Sequence, residues 1–406
     1  PALIRLRGSA GADRGTFSTA STLSADGGEL SVKGRFNPRE QSYDAAIRAD
    51  SFPLNSFLPA DSLGIVDLAL QARGTGFDPL LPRTRTSLRA QIGRAEFGGR
   101  DFGGIELDAE LDSQRLSGRI SDRDEALRLL LSVSGTLTER EQRIGLSGSV
   151  FGFDLAVLGV SPEPIGGSFA LDAYASAAGK GAYAARIALD SIEIRNKHRT
   201  DRIRPTSVSL RTDSAATRAE AASGDLSLTF STPQSADSLI AALTRSARAL
   251  AGQIDAQSID MEQLKPALPD FALRVSAGPD NILNSLLKSR KIAFDALNAE
   301  GANCDSLPVS IRLRTEGLAY GNVVLDTVTA DIRQNGKRLE YALGLANAPG
   351  NLDNIARAGL YGHLVRNTGQ ANLYQRNRAG REGFRFGLDV TWTDSLVRAS
   401  VTPPDP

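Results

Sequence analysis

The chain has 406 residues, of which 41% are apolar, enough for two or three compact domains or one elongated domain. Its 47 lysines and arginines balance 47 aspartates and glutamates, so no net positive field exists to attract nucleic acid, and nucleic-acid binding is not expected. The single cysteine, Cys304, excludes an internal disulfide and a thiolate zinc site.

Residues that would carry catalysis or bind a metal are scarce. His198 and His363 lie far apart, with no carboxylate or cysteine at metal-ligand spacing, so neither a metal nor another cofactor is expected. No Gly-x-Ser-x-Gly elbow with a histidine partner occurs, and no Gly-Lys-Ser/Thr follows the Gly98-Gly99 and Gly103-Gly104 pairs. The sequence therefore predicts a protein that is not an enzyme.

The two ends of the sequence indicate a piece of a longer protein. No apolar run approaches the roughly 18 residues that span a bilayer, and no signal peptide opens the chain. The sequence begins at Pro1, enters strand-like Leu3-Ile4-Arg5-Leu6 at once, and stops in a Pro403-Pro404 tail. We expect any membrane anchor or signal peptide to lie outside it.

Two-residue alternation of apolar and polar side chains is the dominant pattern. In residues 105–111 the odd positions are apolar and the even ones acidic, which in a strand sends the two sets to opposite faces. The same alternation recurs at 226–230, 309–314, 328–332 and 384–390. Turn signals separate such segments at Asp26-Gly27-Gly28, Gly166-Gly167 and Asn335-Gly336. The pattern predicts an antiparallel sheet with one apolar and one wet face.

Helical periodicity is clear in two places only. Residues 235 to about 251 predict an amphipathic helix with Ser235 as N-cap, and residues 279 to about 291 a shorter one that opens with proline. Residues 122–131 fit either a helix or a loop leading into a strand. We expect both helices to lie over the apolar face and to cover or plug it. The leucines that would do so are Leu239, Leu243, Leu286 and Leu287.

Self-similarity suggests three segments. An aromatic-glycine hairpin, an alternating strand, a polar turn and another strand follow one another at 97–118 and again at 320–340. We therefore predict one β module over 1–150, a divergent β segment over 151–254 that ends in the first helix, and a second related module over 255–406.

Two charged stretches have a functional and a plain interpretation. Residues 122–125 could form an acid–base pair, but arginine interrupts the carboxylates and a solvated loop is the simpler interpretation. Residues 195–204 are the most basic stretch and could contact lipid head groups, although an exposed hairpin loop is the preferred interpretation because the whole chain is neutral.

Short phrases in both predicted modules resemble the AsmA/TamB superfamily. Phe52-Pro53-Leu54-Asn55-Ser56-Phe57-Leu58-Pro59 is followed by a Gly64-x-x-x-Leu68 strand and a Gly74-Thr75-Gly76 turn, the order of parts that members of this family repeat. Residues 259–270 resemble the same phrase but lack the Gly-x-Gly turn. The resemblance covers about half of the chain.

The resemblance implies an elongated, curled antiparallel sheet, a β-groove or taco, whose inner face stays apolar along its length. It also implies the periplasmic part of an inner-membrane-anchored protein of a diderm bacterium. Such a protein would carry phospholipid acyl chains between the inner and outer membranes, with an outer-membrane barrel protein of the TamA/BamA type as partner.

The residues expected to line the groove come from the alternating strands. They are Ile105, Leu107, Leu111, Val328, Ile332, Phe384, Phe386 and Leu388. A closed barrel or sandwich core would show the same alternation, because the period reports which face is apolar and not what covers it. An assembly factor that docks outer-membrane barrel proteins by strand addition is the alternative function. A carbohydrate-active or adhesive β-solenoid enzyme comes third.

Overall fold

The computed structural model describes residues 4–57, 63–97, 100–124, 126–179, 181–197, 199–288, 290–304, 307–348, 356–393 and 396–403. Strands account for 68% of the structure and helices for 10%, which confirms the predicted mainly β fold. Its 27 strands are assigned to one antiparallel sheet, which the described pairings do not close.

The first half of the chain consists of strands, with a single 3-10 turn at Leu54–Ser56. The strands are β1 (Arg5–Asp13), β2 (Thr16–Ala25), β3 (Gly28–Asn37), β4 (Ser42–Pro53), β5 (Leu63–Thr75), β6 (Arg85–Phe97), β7 (Arg100–Phe102), β8 (Ile105–Asp112), β9 (Arg115–Arg123), β10 (Leu127–Leu137), β11 (Glu141–Asp154), β12 (Gly166–Ala178), β13 (Ala182–Arg195) and β14 (Thr200–Ile203).

The second half contains the helices, which are α1 (Ala236–Asp255), α2 (Met261–Leu264) and α3 (Ile282–Lys288). A 3-10 turn at Lys265–Ala267 follows α2. The strands are β15 (Thr206–Thr212), β16 (Thr217–Ser223), β17 (Leu226–Thr232), β18 (Phe271–Ala277), β19 (Ile292–Ala293), β20 (Ala296–Cys304), β21 (Leu307–Tyr320), β22 (Val323–Asn335), β23 (Arg338–Asn347), β24 (Arg357–Val365), β25 (Thr368–Arg376), β26 (Glu382–Thr393) and β27 (Leu396–Thr402).

The chain divides into two units by its internal contacts. Unit 1 comprises residues 1–179 and 184–202, and unit 2 comprises residues 180–183 and 203–406. The boundary falls inside the segment 151–254 that the sequence set apart as divergent.

Within each unit the sheet is a meander. The described pairings join strands that are adjacent in sequence or that have one short strand between them, as β6 and β8 do around β7. Most of these connections are short turns, which agrees with the frequent glycine signals in the sequence, and the longer ones contain the helices, as between β17 and β18. A meander keeps the local order of the sequence, so residues with the same alternation become neighbours on one face.

Two predicted turns show how hairpin chemistry sets the register. Between β2 and β3 the loop is Asp26-Gly27, both with positive φ (47° and 85°), as a two-residue hairpin loop requires. The predicted Asn335-Gly336 turn is shifted by one residue. Asn335 pairs with Arg338, so the loop consists of Gly336 and Lys337, and in this loop Gly336 alone has positive φ.

Helix α1 confirms the first helix prediction and extends it by one turn. The side chain of Ser235 accepts a hydrogen bond from the Ser238 amide at 3.3 Å, as an N-cap should. Helix α3 is shorter than predicted, and α2 was not predicted. Residues 122–123 end β9 and residues 127–131 begin β10, so the helical interpretation of 122–131 is wrong for these residues.

The segment that contains α1 and α2 lies across the ends of strands in unit 2. At its start, the Ala236 amide donates to Thr212 Oγ1 at 2.9 Å, in the β15–β16 hairpin. At its end, Ile259 forms a β-bridge with Arg366 in the β24–β25 hairpin, and the Trp392 indole donates to the Gln257 carbonyl. Met261 and Leu264, both in α2, are buried and pack against Val309 of β21. The insertion is therefore held at the strand ends.

Helix α3 is anchored by a buried side chain, Asn284. Its amide nitrogen donates to the carbonyl oxygens of Phe294 at 2.8 Å and Pro279 at 3.1 Å, and its oxygen accepts from the Phe294 amide at 3.3 Å. These bonds satisfy both polar ends of the side chain, so its burial carries no unpaired group.

We expect Asn284→Ala to lower the free energy of unfolding by about 2–3 kcal/mol, because it leaves the buried amide and carbonyl of Phe294 without partners. Leu286→Ala is the matched control on the same helix, since Leu286 is 55% exposed, and it should cost less than about 1 kcal/mol. Urea denaturation of both variants measures the difference. Equal losses would show that Asn284 does not anchor the helix.

Candidate functional site

An unbroken row of apolar residues crosses unit 2 from β15 to β26. Each member lies directly opposite the next on the neighbouring strand, so the row runs perpendicular to the strands. Its members are Val208, Ala221, Leu228, Val275, Ala299, Leu313, Ala330, Leu343, Leu360, Leu373 and Phe386. Eleven strands spaced by about 4.8 Å make the row about 48 Å long.

A second apolar row runs beside the first on the same face and reaches β27. Its members are Leu210, Ala219, Phe230, Leu273, Gly301, Ile311, Ile332, Tyr341, Gly362, Ala371, Leu388 and Val401. We call the side of the sheet that carries these two rows, and the shorter rows beside them, the unit 2 apolar face.

The unit 2 apolar face is partly exposed. No member of the first row is buried, and Leu343 is 44% exposed. A closed core would bury such residues almost completely, because protein interiors are packed as densely as organic crystals. In the described part of the chain this face has no second layer of that density over it.

The five groove residues predicted in unit 2 all belong to this face. Ile332 and Leu388 belong to the second row, and Phe386 is the last residue of the first row. Val328 and Phe384 lie in a third row, through Leu345, Ala358 and Gln375. Residues about 60 apart in sequence therefore come to one surface.

Unit 1 carries a comparable face that contains the other three predicted residues. A row there consists of Val32, Ile47, Leu70, Ala90, Leu107, Ile120, Leu131, Gly148 and Leu171. Ile105 is two positions from Leu107, and Leu111 is two positions from Ala109. All four residues therefore lie on the same face of β8. Of the three, Leu111 is buried and the others are half-buried.

The opposite face of the sheet carries charges in directly paired positions. Arg274 faces Glu300 at 3.7 Å, and Arg312 faces Asp331 at 3.4 Å. Further pairs of this kind are Arg73–Asp44, Arg85–Asp112, Arg89–Asp108 and Arg333–Glu340. Exposed pairs add little stability each, about 0–1 kcal/mol, but they oppose any slip in register.

The total surface area agrees with a sheet that lacks a full second layer. The accessible surface is 25199 Å². A close-packed monomer of this mass would expose about 15,200 Å², and two separate close-packed units of half the mass about 18,300 Å². The excess is larger than separation of the units can explain, so much strand surface is open to solvent.

The leucines predicted to cover or plug the sheet do not hold the helices in place. The buried side of α1 is centred on Ala242, 2% exposed, whereas Leu243 is 51% exposed and Leu239 half-buried. In α3, Leu286 is exposed and Leu287 half-buried. That these side chains cover or plug the apolar face stays a prediction.

Asp122 is a buried carboxylate that the sequence interpretation missed. It lies at the end of β9, opposite Leu129 on the apolar face of unit 1, and is 6% exposed, so the predicted solvated loop is wrong for this residue. Its oxygen accepts a hydrogen bond from the Asp124 amide at 2.8 Å. Burial raises the pKa of Asp122, and the nearby Asp124 charge adds to this.

The described histidine and cysteine are not part of a metal-ligand cluster. Within the described ranges, no three His, Cys, Asp or Glu side chains are grouped as metal ligands would be. His198 lies outside the described residues, while His363 is half-buried in β24 and Cys304 in β20. The helices of the described part include none long and apolar enough to cross a membrane.

The basic stretch 195–204 is largely neutralised by neighbours. Arg199 pairs with Asp201 at 2.7 Å and Arg202 with Glu193 at 3.0 Å in unit 1. In unit 2, Arg204 pairs with Asp280 at 2.7 Å. This favours the structural interpretation of the stretch over a head-group contact.

The pH dependence of the stability difference between the wild type and Asp122→Asn tests the burial of this carboxylate. The native pKa is raised above the unfolded value of about 3.9, so ionisation disfavours the fold, and the wild type should lose stability relative to the variant as pH rises from about 4 through the native pKa. Below pH 4 this difference should vanish, since the asparagine oxygen can accept the same hydrogen bond. Urea titrations from pH 3.5 to 8 measure it, and a constant difference would contradict the assignment.

Comparisons of the chain with models of known protein families, with curated proteins and with solved structures find no match.

Proposed function

We propose that this chain is a non-enzymatic conduit or scaffold that presents a hydrophobic groove to the acyl chains of phospholipids. The observation that carries the proposal is the eleven-strand apolar row of unit 2, in which no residue is buried. An apolar track of this length with nothing packed densely over it is suited to a long, flexible, apolar ligand.

The energy of lipid transfer explains why such a track would be useful. Moving a CH₂ group into water costs about 0.8 kcal/mol, so exposing both acyl chains of a lipid costs on the order of 20 kcal/mol. A continuous apolar surface lowers that barrier along its whole length. The rows contain small residues such as Ala330, Ala371 and Gly362 between large ones, which leaves room for a chain to lie across them.

The charged face supports the same arrangement. Cross-strand ion pairs such as Arg312–Asp331 keep that face in water, so a curled sheet would turn its apolar face inward and keep its charges outside. The lipid head group would stay at the open side in water, which requires no deep polar pocket.

The location and partners belong to the same proposal and rest on the resemblance of the sequence phrases to the AsmA/TamB superfamily. On that basis the chain is the periplasmic part of an inner-membrane-anchored protein of a diderm bacterium. It would carry phospholipid between the two membranes and meet an outer-membrane barrel protein of the TamA/BamA type.

A second candidate function is an assembly factor that binds strands of barrel proteins at a sheet edge. Strand β27 supports it, because its described pairing is to β26 alone and Leu396, Val397 and Val401 are 50%, 68% and 75% exposed. An apolar edge strand of this kind is a template for a further strand.

The conduit is tested by placing a charge on the unit 2 apolar face. Val328→Asp and Phe386→Asp should abolish co-purification of phospholipid, because a carboxylate in the track is costly to desolvate. Native mass spectrometry of the purified protein, followed by lipid extraction, measures the bound lipid. Thermal melts should shift little, since the half-exposed carboxylate can stay hydrated.

Thr329→Asp is the matched control, because Thr329 follows Val328 on the opposite face, opposite Arg314. It should leave bound lipid unchanged. A wild-type protein free of lipid would contradict the conduit, and so would a loss of several kcal/mol of stability in Val328→Asp, which is expected of a closed core.

Strand addition has its own test at the edge. Val397→Lys with Val401→Lys should reduce binding of a fluorescent peptide of alternating apolar and polar residues at least fivefold, because lysine on an edge disfavours pairing. Fluorescence anisotropy measures the affinity. Arg398→Lys is the control on the same strand, and equal affinity in all three proteins would reject the edge as a docking site.

A further inference from the structure

Arginines from three neighbouring strands meet on the polar face at one end of β24–β26. Arg357 lies directly opposite Arg376, and Tyr374, two residues before Arg376, lies opposite Arg385. Residues two apart share a face of a strand, so these side chains project from the same side of the sheet. The turn that joins β25 to β26 adds two more arginines, Arg378 and Arg381.

Two tyrosines hold the inner arginines in place. Arg385 Nη2 donates to the Tyr361 hydroxyl at 3.2 Å, and the Arg376 guanidinium carbon lies 5.7 Å from the centre of the Tyr374 ring, a cation–π distance. The rings of Tyr361 and Tyr374 are 6.4 Å apart and tilted. The guanidinium groups are thus oriented by packing before any ligand arrives.

The cluster has far more positive than negative charge. Among the described residues around it, Glu382 is the one carboxylate, and it lies 3.7 Å from Arg376. Arg378 donates to the Ala348 carbonyl at 3.0 Å, which is uncharged. Five arginines against one glutamate give a local excess of four positive charges in a chain whose net charge is zero.

Two features show that this arrangement is not explained by the fold alone. Arginines such as Arg274 and Arg312 lie opposite carboxylates, whereas Arg357 lies opposite another arginine, which is destabilising. Arg211 and Arg218 are also directly opposed in unit 2, but that pair has Asp213 and Glu220 nearby. In addition, Arg385 Nε is buried and has no hydrogen-bond acceptor. A buried donor of this kind costs about 1–3 kcal/mol if it stays unpaired.

An anion would resolve both features. We propose that Arg357, Arg376, Arg381 and Arg385 form a binding site for a phosphate-bearing anion. Guanidinium groups bind phosphate through paired N–H donors, and a phosphate offers three acceptor oxygens that several arginines can share. The ligand is either a soluble phosphate compound or the head group of an anionic lipid at a surface.

The site does not depend on the proposed function. It lies on the face opposite to Leu360, Leu373 and Phe386, so an acyl chain on the apolar face does not occupy it. A failure of one proposal therefore leaves the other intact.

The test compares two double variants that each lose one cross-strand arginine pair. Arg357→Gln with Arg376→Gln removes the pair inside the cluster. Arg211→Gln with Arg218→Gln is the matched control, since these exposed arginines also lie directly opposite one another but have acidic residues nearby, Asp213 and Glu220. Both double variants change the net charge by the same amount.

Inorganic pyrophosphate is the soluble probe, measured by isothermal titration calorimetry at low and at 150 mM salt. Flotation with vesicles of phosphatidylcholine, with and without 30% phosphatidylglycerol, is the surface probe. We expect the cluster variant to lose at least tenfold in affinity for one probe and the control to keep wild-type affinity. Binding to pyrophosphate identifies a soluble ligand, and binding to the anionic vesicles alone identifies a head group.

Arg381→Gln distinguishes a loss of binding from a loss of folding. Arg381 is exposed in the turn and its backbone amide, not its side chain, bonds to Asn377, so the variant should fold normally and lose affinity about threefold. Absence of binding to either probe in the wild type overturns the proposal, and so does an equal loss in the cluster and control variants.

Discussion

The register of the antiparallel meander is the constraint on which the rest of the structure depends. Because side chains alternate with period two, a slip of one residue on any strand would send its apolar set to the water side. Eleven consecutive strands of unit 2 keep Val208 through Phe386 in one row, even across the bulges near Cys304 and Leu325. The apolar face exists because no strand in between has slipped.

Charges on the opposite face secure that register at little cost. Pairs such as Arg89–Asp108 and Arg312–Asp331 contribute little stability individually, but a slip of one residue would carry these charges to the apolar side of the sheet. The cluster around Arg357 and Arg376 departs from this arrangement. A like-charged pair with few carboxylates around it is where an anionic ligand is expected, since such a ligand can supply the missing interaction.

Helical insertions are fixed at the strand ends of unit 2, where Met261 and Leu264 pack against Val309 and Leu339. Helices α1 and α2 are held by hairpin residues such as Thr212 and Arg366, and α3 by the buried Asn284. Fixing the helices at the strand ends therefore contributes to the stability of unit 2.

The sequence by itself determined the mainly β class, the antiparallel pairing, the alternation of faces and the helix capped by Ser235, because each follows from local periodicity or turn chemistry. It also placed Val328, Ile332 and Leu388 on the apolar set. Only the tertiary structure decided that these residues share rows and that the rows are half-exposed, since period does not reveal what covers a face. Burial of Asp122 and convergence of Arg357 with Arg385 depend on how neighbouring strands pair and on what packs around them, which the period of one strand does not reveal.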